Sequence, residues 1–266
     1  WSLNNVALAE LMHTSLAAWQ AGKNDEAFLL WKSSLLESMY LGGSPGNFQQ
    51  VSTYDGIRGE AYRDFADPVG MTGRSLVQGL FGILPDALNN TLMIRPGFPG
   101  TWNKASLQTP DIQFDFKRIG KNDQYNIRLL SQKGLLLKLL LKVKGKNIAG
   151  ISVNGKKVSW QNIPDAIDVP MISITTGKAD NYHIVIEWKG ELMNGNSPVK
   201  DVIAEGNFTY SRPGIQIKKI YDPQKLFAFA SLSGNSLTAA ISSDTGYKTA
   251  FVQVAAGAFT DRKSVG

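Results

Sequence analysis

Three segments in the first ninety residues have the apolar spacing of α-helices. Apolar residues recur at intervals of three and four over residues 8–19, and Gly22 predicts where that helix ends. The second segment, residues 24–40, carries two apolar stripes: Phe28, Trp31, Leu35 and Met39 form one, and Leu29, Leu36 and Tyr40 form the other. A helix with two such stripes is expected to contact neighbours on two sides. The third segment begins at about Thr72 and is predicted to stop at Pro85.

From Thr91 onward the apolar period changes to two, which is typical of strands. Strict alternation predicts strands over residues 111–117 and 125–129, and further strands are expected over residues 172–175 and 183–188. Asn154-Gly155 lies between two apolar runs and predicts a tight hairpin. Because turns recur at short intervals, this region is predicted to be an antiparallel β-sandwich.

The pattern divides the chain into three parts, which predicts a multidomain α plus β protein. Residues 1–90 form a helical region, residues 91–190 the β-sandwich, and residues 198–266 a small β domain. The last part has barely enough strands for a sandwich, so it could be either a complete or a truncated domain. The chain begins at Trp1 with no signal peptide, and a few doubly apolar helices cannot easily close a core. We therefore expect upstream helices of the same protein to be missing.

The composition limits the class of protein and the catalytic and metal-binding groups that are available. The 266 residues are 43% hydrophobic and 19% charged, and no apolar run is long enough to span a membrane, so neither a transmembrane nor a disordered protein is expected. The chain has no cysteine, and its only histidines are His13 and His183. It therefore lacks the residues for thiolate or multi-histidine metal sites and for most catalytic triads. Neither a metal nor a cofactor is expected, and carboxylates remain as the main catalytic groups.

The net charge of +6 is unevenly distributed. Residues 1–90 carry five basic and nine acidic side chains, whereas the rest of the chain carries 23 basic and 13 acidic ones. The lysines of the basic part alternate with apolar residues, as in Leu137–Lys144, which is typical of the wet face of a sheet. Nucleic acid is therefore not an expected partner, although binding of an anionic polymer by the lysine-rich sheets stays open.

One acidic and aromatic stretch, Tyr54–Gly70, has the residues that glycoside hydrolysis needs. Its candidate catalytic carboxylates are Asp64, Glu60 and Asp67, and its candidate substrate-binding residues are Tyr54, Arg58, Tyr62, Arg63 and Phe65. An arginine can hold one carboxylate ionised while burial keeps another protonated, as acid and base catalysis requires. The alternative is that the arginines form ion pairs that fix a long loop, and that Asp67 caps a turn.

The segment that follows resembles a known family. Gly73–Leu88, Leu92–Trp102 and Asp111–Phe116 together resemble the junction in six-hairpin glycosidases between the last inner helix of an (α/α)6 barrel and a C-terminal β-sandwich. The resemblance covers about residues 1–190 and is closest to an uncharacterised branch of exported polysaccharide-utilisation proteins. It implies that residues 1–90 are a partial (α/α)6-type helical region with a pocket near the Tyr54–Gly70 loop.

This resemblance implies a glycoside hydrolase that acts on an oligo- or polysaccharide and is exported to the periplasm or cell surface. No family motif assigns the catalytic carboxylate, so Asp64, Glu60 and Asp67 rest on local chemistry alone. The chain supplies only a few of the helices that a complete barrel needs, so independent activity is not expected. The alternative function is a non-catalytic carbohydrate-binding or scaffold protein.

Overall fold

The computed structural model of the chain describes residues 5–6, 8–41, 51–52, 66–131, 134–193 and 202–265. The helices of this part are α1 (Leu8–Gln20), α2 (Asn24–Leu36) and α3 (Ala66–Arg74). π-helical turns continue α2 over Glu37–Leu41 and α3 over Ser75–Leu80, and a 3₁₀ turn spans Ala87–Asn89.

After α3 the regular elements are almost all strands, and two short strands stand before and between the helices. Within the described ranges they are β1 (Asn5–Val6), β2 (Val51–Ser52), β3 (Ile83–Asp86), β4 (Thr91–Ile94), β5 (Lys104–Gln108), β6 (Ile112–Ile119), β7 (Asn122–Leu129), β8 (Leu136–Lys142), β9 (Gly145–Val153), β10 (Lys156–Lys157), β11 (Gln161–Asn162), β12 (Met171–Lys178), β13 (Asn181–Leu192), β14 (Asn207–Ser211), β15 (Gln216–Tyr221), β16 (Phe227–Ser233), β17 (Ser236–Ile241), β18 (Ala250–Ala256) and β19 (Phe259–Val265).

Two larger sheets form a sandwich. One has the strand order β10-β9-β13-β7-β6-β5, and the other has the order β11-β12-β8-β4-β3. Neighbouring strands are antiparallel except β4 and β8, which run parallel. The inner faces meet in a core whose fully buried side chains include Phe114, Ile127, Leu137, Leu139, Ile172, Ile174, Ile184 and Ile186. Each of these residues alternates with a more exposed neighbour, so the period of two sets which face each strand buries.

The helices pack onto this sandwich and share its core. Met12, Trp19 and Trp31 belong to the same hydrophobic cluster as the inner residues of both sheets. The Trp19 indole Nε1–H donates to the carbonyl of Gly97 (2.9 Å), in the segment that joins β4 to β5. Trp31 Nε1–H donates to Ser75 Oγ (2.9 Å), which ties α2 to the turn after α3. The helical layer is thus anchored by buried indoles.

The two apolar stripes of α2 differ in burial. Trp31 is buried and Phe28 packs edge-on against Trp102, with ring centroids 4.9 Å apart. On the other stripe, the side chain of Leu29 is 66% exposed and that of Tyr40 is 65% exposed. The prediction that both stripes contact neighbours is therefore wrong for the second stripe. Gly22, at φ +79°, does end α1 as predicted.

The junction after α3 also differs from the prediction. The helical path ends at Leu80, and Gly82 at φ +67° turns the chain into β3. A Cβ at Gly82 would lie 1.8 Å from the carbonyl oxygen of Arg95, so only glycine fits there. Pro85, predicted to terminate a helix, instead lies in β3, which is an edge strand where its missing N–H costs no ladder bond.

The predicted (α/α)6-type helical region is wrong. Strands account for 48% of the described residues and helices for 22%, and the three short helices of that part form no (α/α)6 arrangement. The physical reason is that α1, α2 and α3 find their apolar partners in the sandwich core rather than in further helix pairs. One sheet layer is thus enough to bury the apolar faces of a few amphipathic helices.

The C-terminal strands form a separate small core. The sheets β14-β17-β16 and β15-β18-β19 enclose buried residues such as Phe208, Leu237, Val252 and Val254. β19 also contacts the sandwich: Asp168 N–H donates to the Arg262 carbonyl, and Arg262 N–H donates to the Ala166 carbonyl, both at 2.7 Å. Phe259 packs against Trp160 at 5.2 Å between ring centroids. This last strand therefore joins the two β units.

Candidate functional site

The structure locates one of the eight sequence-predicted site residues. Asp67 lies exposed in the first turn of α3. The other seven lie outside the described residues, namely Tyr54, Arg58, Glu60, Tyr62, Arg63, Asp64 and Phe65. The roles of these eight residues therefore stay predictions.

Two further features bear on the expected chemistry. In the described ranges, no group of three or more histidine and carboxylate side chains is placed to hold a metal ion. Among the same residues, none of the helices combines the length and the apolar character that a membrane span requires.

A polar groove of about 270 Å³ lies on the outer face of the six-stranded sheet. We call it the amide groove. Its polar lining residues are Gln113, Asp115, Asn126, Arg128, Asn154, Asn181 and His183. They project outward because Phe114, Ile127, Tyr182 and Ile184, their neighbours along the strands, are buried on the other face. The groove is thus a direct consequence of the alternation in three adjacent strands.

Strand register places these side chains in two rows across β6, β7 and β13. In one row Asp115 pairs with Asn126, and Asn126 pairs with His183. In the other row Gln113 pairs with Arg128, which in turn pairs with Asn181. Directly opposed residues of antiparallel strands lie about 4.5–5.5 Å apart at Cβ. The groove is therefore a compact array of polar groups on fixed backbone positions.

Hydrogen bonds orient several of these groups. The ring nitrogen Nδ1 of His183 lies 2.6 Å from Asn126 Oδ1, and with the amide oxygen as acceptor the ring Nδ1–H donates. In the neutral ring, the second nitrogen of His183 is then an acceptor. Gln113 Nε2 donates to Asp115 Oδ2 at 3.4 Å. These bonds fix which atoms remain available to a ligand.

Asn154 closes one end of the amide groove. It lies at φ +51° in the predicted hairpin turn, followed by Gly155 at φ +75°, and Val153 pairs with Lys156 across that turn. Its side chain accepts from His183 N–H (2.7 Å) and donates to the Asn181 carbonyl (2.9 Å). The Asn154-Gly155 hairpin is confirmed, and its side-chain bonds hold the turn against β13.

The amide groove is suited to binding rather than to hydrolysis. Its described lining contains one carboxylate, Asp115, whereas glycosidases use a pair of carboxyl groups. Neither Asp115 nor Arg128 forms an ion pair with another described residue. Arg128 can therefore donate hydrogen bonds to a polar ligand, and Asp115 keeps acceptor sites beside the one that Gln113 uses.

Sequence reasoning missed the amide groove. The alternating polar residues of β6 and β7 are visible as a pattern, but His183 follows Asn126 by 57 residues, and its strand could have paired elsewhere. The available signal was the density of amide side chains at outward positions. Only the strand order shows that these outward positions lie together in one groove.

No protein-family model, curated protein or solved structure matches the chain. The resemblance to six-hairpin glycosidases and the expected export therefore stay predictions.

Proposed function

We propose that the chain is a non-catalytic carbohydrate-binding protein and that the amide groove holds the sugar. The observation that carries the proposal is the outward array of two amides, a carboxylate, a guanidinium and an imidazole on three adjacent strands, formed by Gln113, Asn126, Asp115, Arg128 and His183.

The chemistry of the array matches that of a sugar ring. A hydroxyl group donates one hydrogen bond and accepts others, so it pairs best with donors and acceptors placed side by side. Arg128 supplies only donors, Asp115 when ionised only acceptors, and Asn126 has an amide N–H₂ beside the oxygen used by His183. These groups stand on a sheet, so their backbone positions need no ordering when a ligand binds.

The size of the amide groove limits what it holds. Its volume of about 270 Å³ is just below the ~300–1,000 Å³ of pockets for drug-sized ligands. We therefore expect it to take a short part of a glycan, with the rest of the polymer in solvent. An open groove of this kind binds along a chain or at its end without enclosing it.

The test is a glycan-binding screen followed by calorimetry on the glycans that bind. Asn126→Ala and Arg128→Ala each remove groove hydrogen bonds, so each is expected to weaken binding by about 2- to 10-fold, given about 0.5–1.5 kcal/mol per bond. The control is Gln124→Ala, on the same face of β7 but outside the amide groove, which should bind like the wild type. Absence of any bound glycan, or equal affinities in all three variants, would overturn the proposal.

Glycoside hydrolysis is the second proposal, and the sequence pattern of Glu60, Asp64 and Asp67 is what supports it. Its test is sugar release from the glycans found in the screen, measured with this chain and with an N-terminally extended version, because the chain alone is not expected to be active. Glu60→Gln and Asp64→Asn should each abolish turnover while leaving binding at the amide groove intact. Turnover that persists in both variants would remove these two carboxylates from the mechanism.

A further inference from the structure

A small polar cavity of about 40 Å³ lies between the start of α2, the segment joining β4 to β5, and strands β6, β7 and β8. We call it the lysine cavity. Its charged lining residues are Arg118, Asp123, Lys142 and Lys144, and Asn24 and Trp102 also border it. A space of about 10–15 Å³ on this measure already holds one water, so the lysine cavity admits a particle of that size but not a sugar.

One of its cations is already neutralised. Asp123 Oδ1 accepts from Arg118 Nε at 2.6 Å, and Asp123 Oδ2 accepts from Arg118 Nη2 at 3.0 Å. The Trp188 indole donates to Asp123 Oδ2 as well, also at 3.0 Å. Asp123 and Arg118 thus satisfy each other in a two-pronged ion pair. Three of the roughly four acceptor sites of this carboxylate are in use, and neither lysine ammonium is hydrogen-bonded to it.

The two lysines are left short of partners. Lys142 Nζ donates to the Gly22 carbonyl, which uses one of its three protons. Lys144 has no hydrogen-bond or ion-pair partner among the described residues, although both side chains are partly buried. A partly buried ammonium without a direct ion-pair partner loses hydration that no contact replaces, which is costly.

The surrounding charges do not remove this imbalance. Asp25 and Glu26, at the start of α2, act favourably on Lys142, but Arg95 acts against it. Asp123 and Asp25 act favourably on Lys144, but Arg118 acts against it. Asp25 Oδ1 is already engaged with the N–H of Gly100 at 3.1 Å. Burial, followed by repulsion from neighbouring cations, lowers the pKa of both Lys142 and Lys144. Negative charge is therefore in deficit at this point of the fold.

We propose that the lysine cavity binds a chloride ion, held by the ammonium groups of Lys144 and Lys142. A monatomic anion fits the available space, accepts hydrogen bonds from any direction and neutralises charge that the protein leaves unpaired. A phosphate or sulfate would need room for four oxygen atoms. The site is independent of the amide groove, which lies on the outer face of the six-stranded sheet.

The direct test is the width of the ³⁵Cl NMR line, which increases when chloride exchanges with a protein site. Wild-type protein is expected to broaden the line in a saturable way, and Lys144→Met is expected to lose most of that broadening. The matched control is Lys138→Met, an exposed lysine on β8 that changes the charge equally. Equal broadening by wild type and Lys144→Met would show that the anion does not bind there.

Unfolding by urea gives a second test that needs no variant. Sodium chloride is compared with sodium methanesulfonate at equal ionic strength, because that larger anion does not fit the lysine cavity. Above the dissociation constant, each tenfold rise in chloride should raise the folding equilibrium constant about tenfold. Identical unfolding curves in the two salts would overturn the proposal even if Lys144→Met failed to fold.

Discussion

The indole of Trp19 lies directly against the backbone of Gly79, so that a Cβ added at Gly79 would stand 2.2 Å from the Trp19 ring. The same indole crowds Gly97, where an added Cβ would lie 2.4 Å away, and it donates its N–H to the Gly97 carbonyl. Two glycines thus make room for the side chain that fastens α1 to the sandwich. Close backbone approach, rather than turn geometry, explains glycine at both positions.

We expect Gly79→Ala to lower the free energy of unfolding by about 1–3 kcal/mol, because overpacking forces Trp19 or the turn after α3 to move. Gly73→Ala is the matched control: it lies exposed in α3, and an added Cβ meets nothing within 4 Å. Alanine there should stabilise the helix by about 0.5–1 kcal/mol. Urea unfolding of both variants measures the contrast, and similar values would contradict the proposed packing.

Asp123 is expected to be among the most costly residues to remove. It is 2% exposed and accepts hydrogen bonds from both Arg118 and Trp188. Asp123→Ala leaves a partly buried guanidinium without its partner, which should cost about 3–5 kcal/mol. Asp244→Ala serves as control, since the Asp244 side chain is 77% exposed in its pair with Lys248 and should change stability by about 0–1 kcal/mol. Thermal and urea unfolding should rank the two variants in this order.

Local chemistry made several elements predictable. Asn154-Gly155 adopts the positive φ angles that its hairpin needs, and alternation around Phe114 placed a strand with the correct buried face. Pro85 was misjudged because its helical neighbourhood suggested a helix end, whereas an edge strand accepts proline equally well. A short apolar segment alone does not determine whether it will form a helix or a strand, or which part of the fold will pack on it.

The site was less predictable for the same reason. Lys142 follows the alternation of β8, which predicts a solvated position, but its ammonium reaches the end of α1 and is partly buried. The amide groove requires β13 to lie beside β7, a pairing between distant parts of the chain. Both features depend on tertiary neighbours that periodicity does not specify.

Stability should rise with pH above neutrality because of Lys142. Burial lowers its pKa from 10.5 to about 8, so between these values the unfolded chain binds more protons than the folded one. In chloride-free buffer, we expect this group to raise the free energy of unfolding by about 2 kcal/mol between about pH 7 and pH 9.5.

The measurement for Lys142 is urea unfolding across that pH range. Lys142→Met should remove the rise attributed to this side chain, whereas Lys138→Met, exposed on the same strand, should keep it. Chloride should flatten the wild-type curve, because an anion in the lysine cavity stabilises the protonated form. A wild-type slope that survives in Lys142→Met would assign the effect to another group.

Phe259 belongs to the sandwich core although it lies in β19 of the C-terminal unit. It is 1% exposed, packs against Trp160, and falls in the large hydrophobic cluster rather than the smaller C-terminal one. Phe259→Ala should therefore cost about 3–5 kcal/mol. The amide protons of Asp168 and Arg262, which bond across the junction of the two units, should exchange faster in the variant. Phe229→Ala, where the native side chain is 68% exposed, should leave that exchange unchanged. If Phe259→Ala lowers stability but leaves those two amides protected, Phe259 fills the core without holding the units together, and the junction must rest on the β19 backbone bonds.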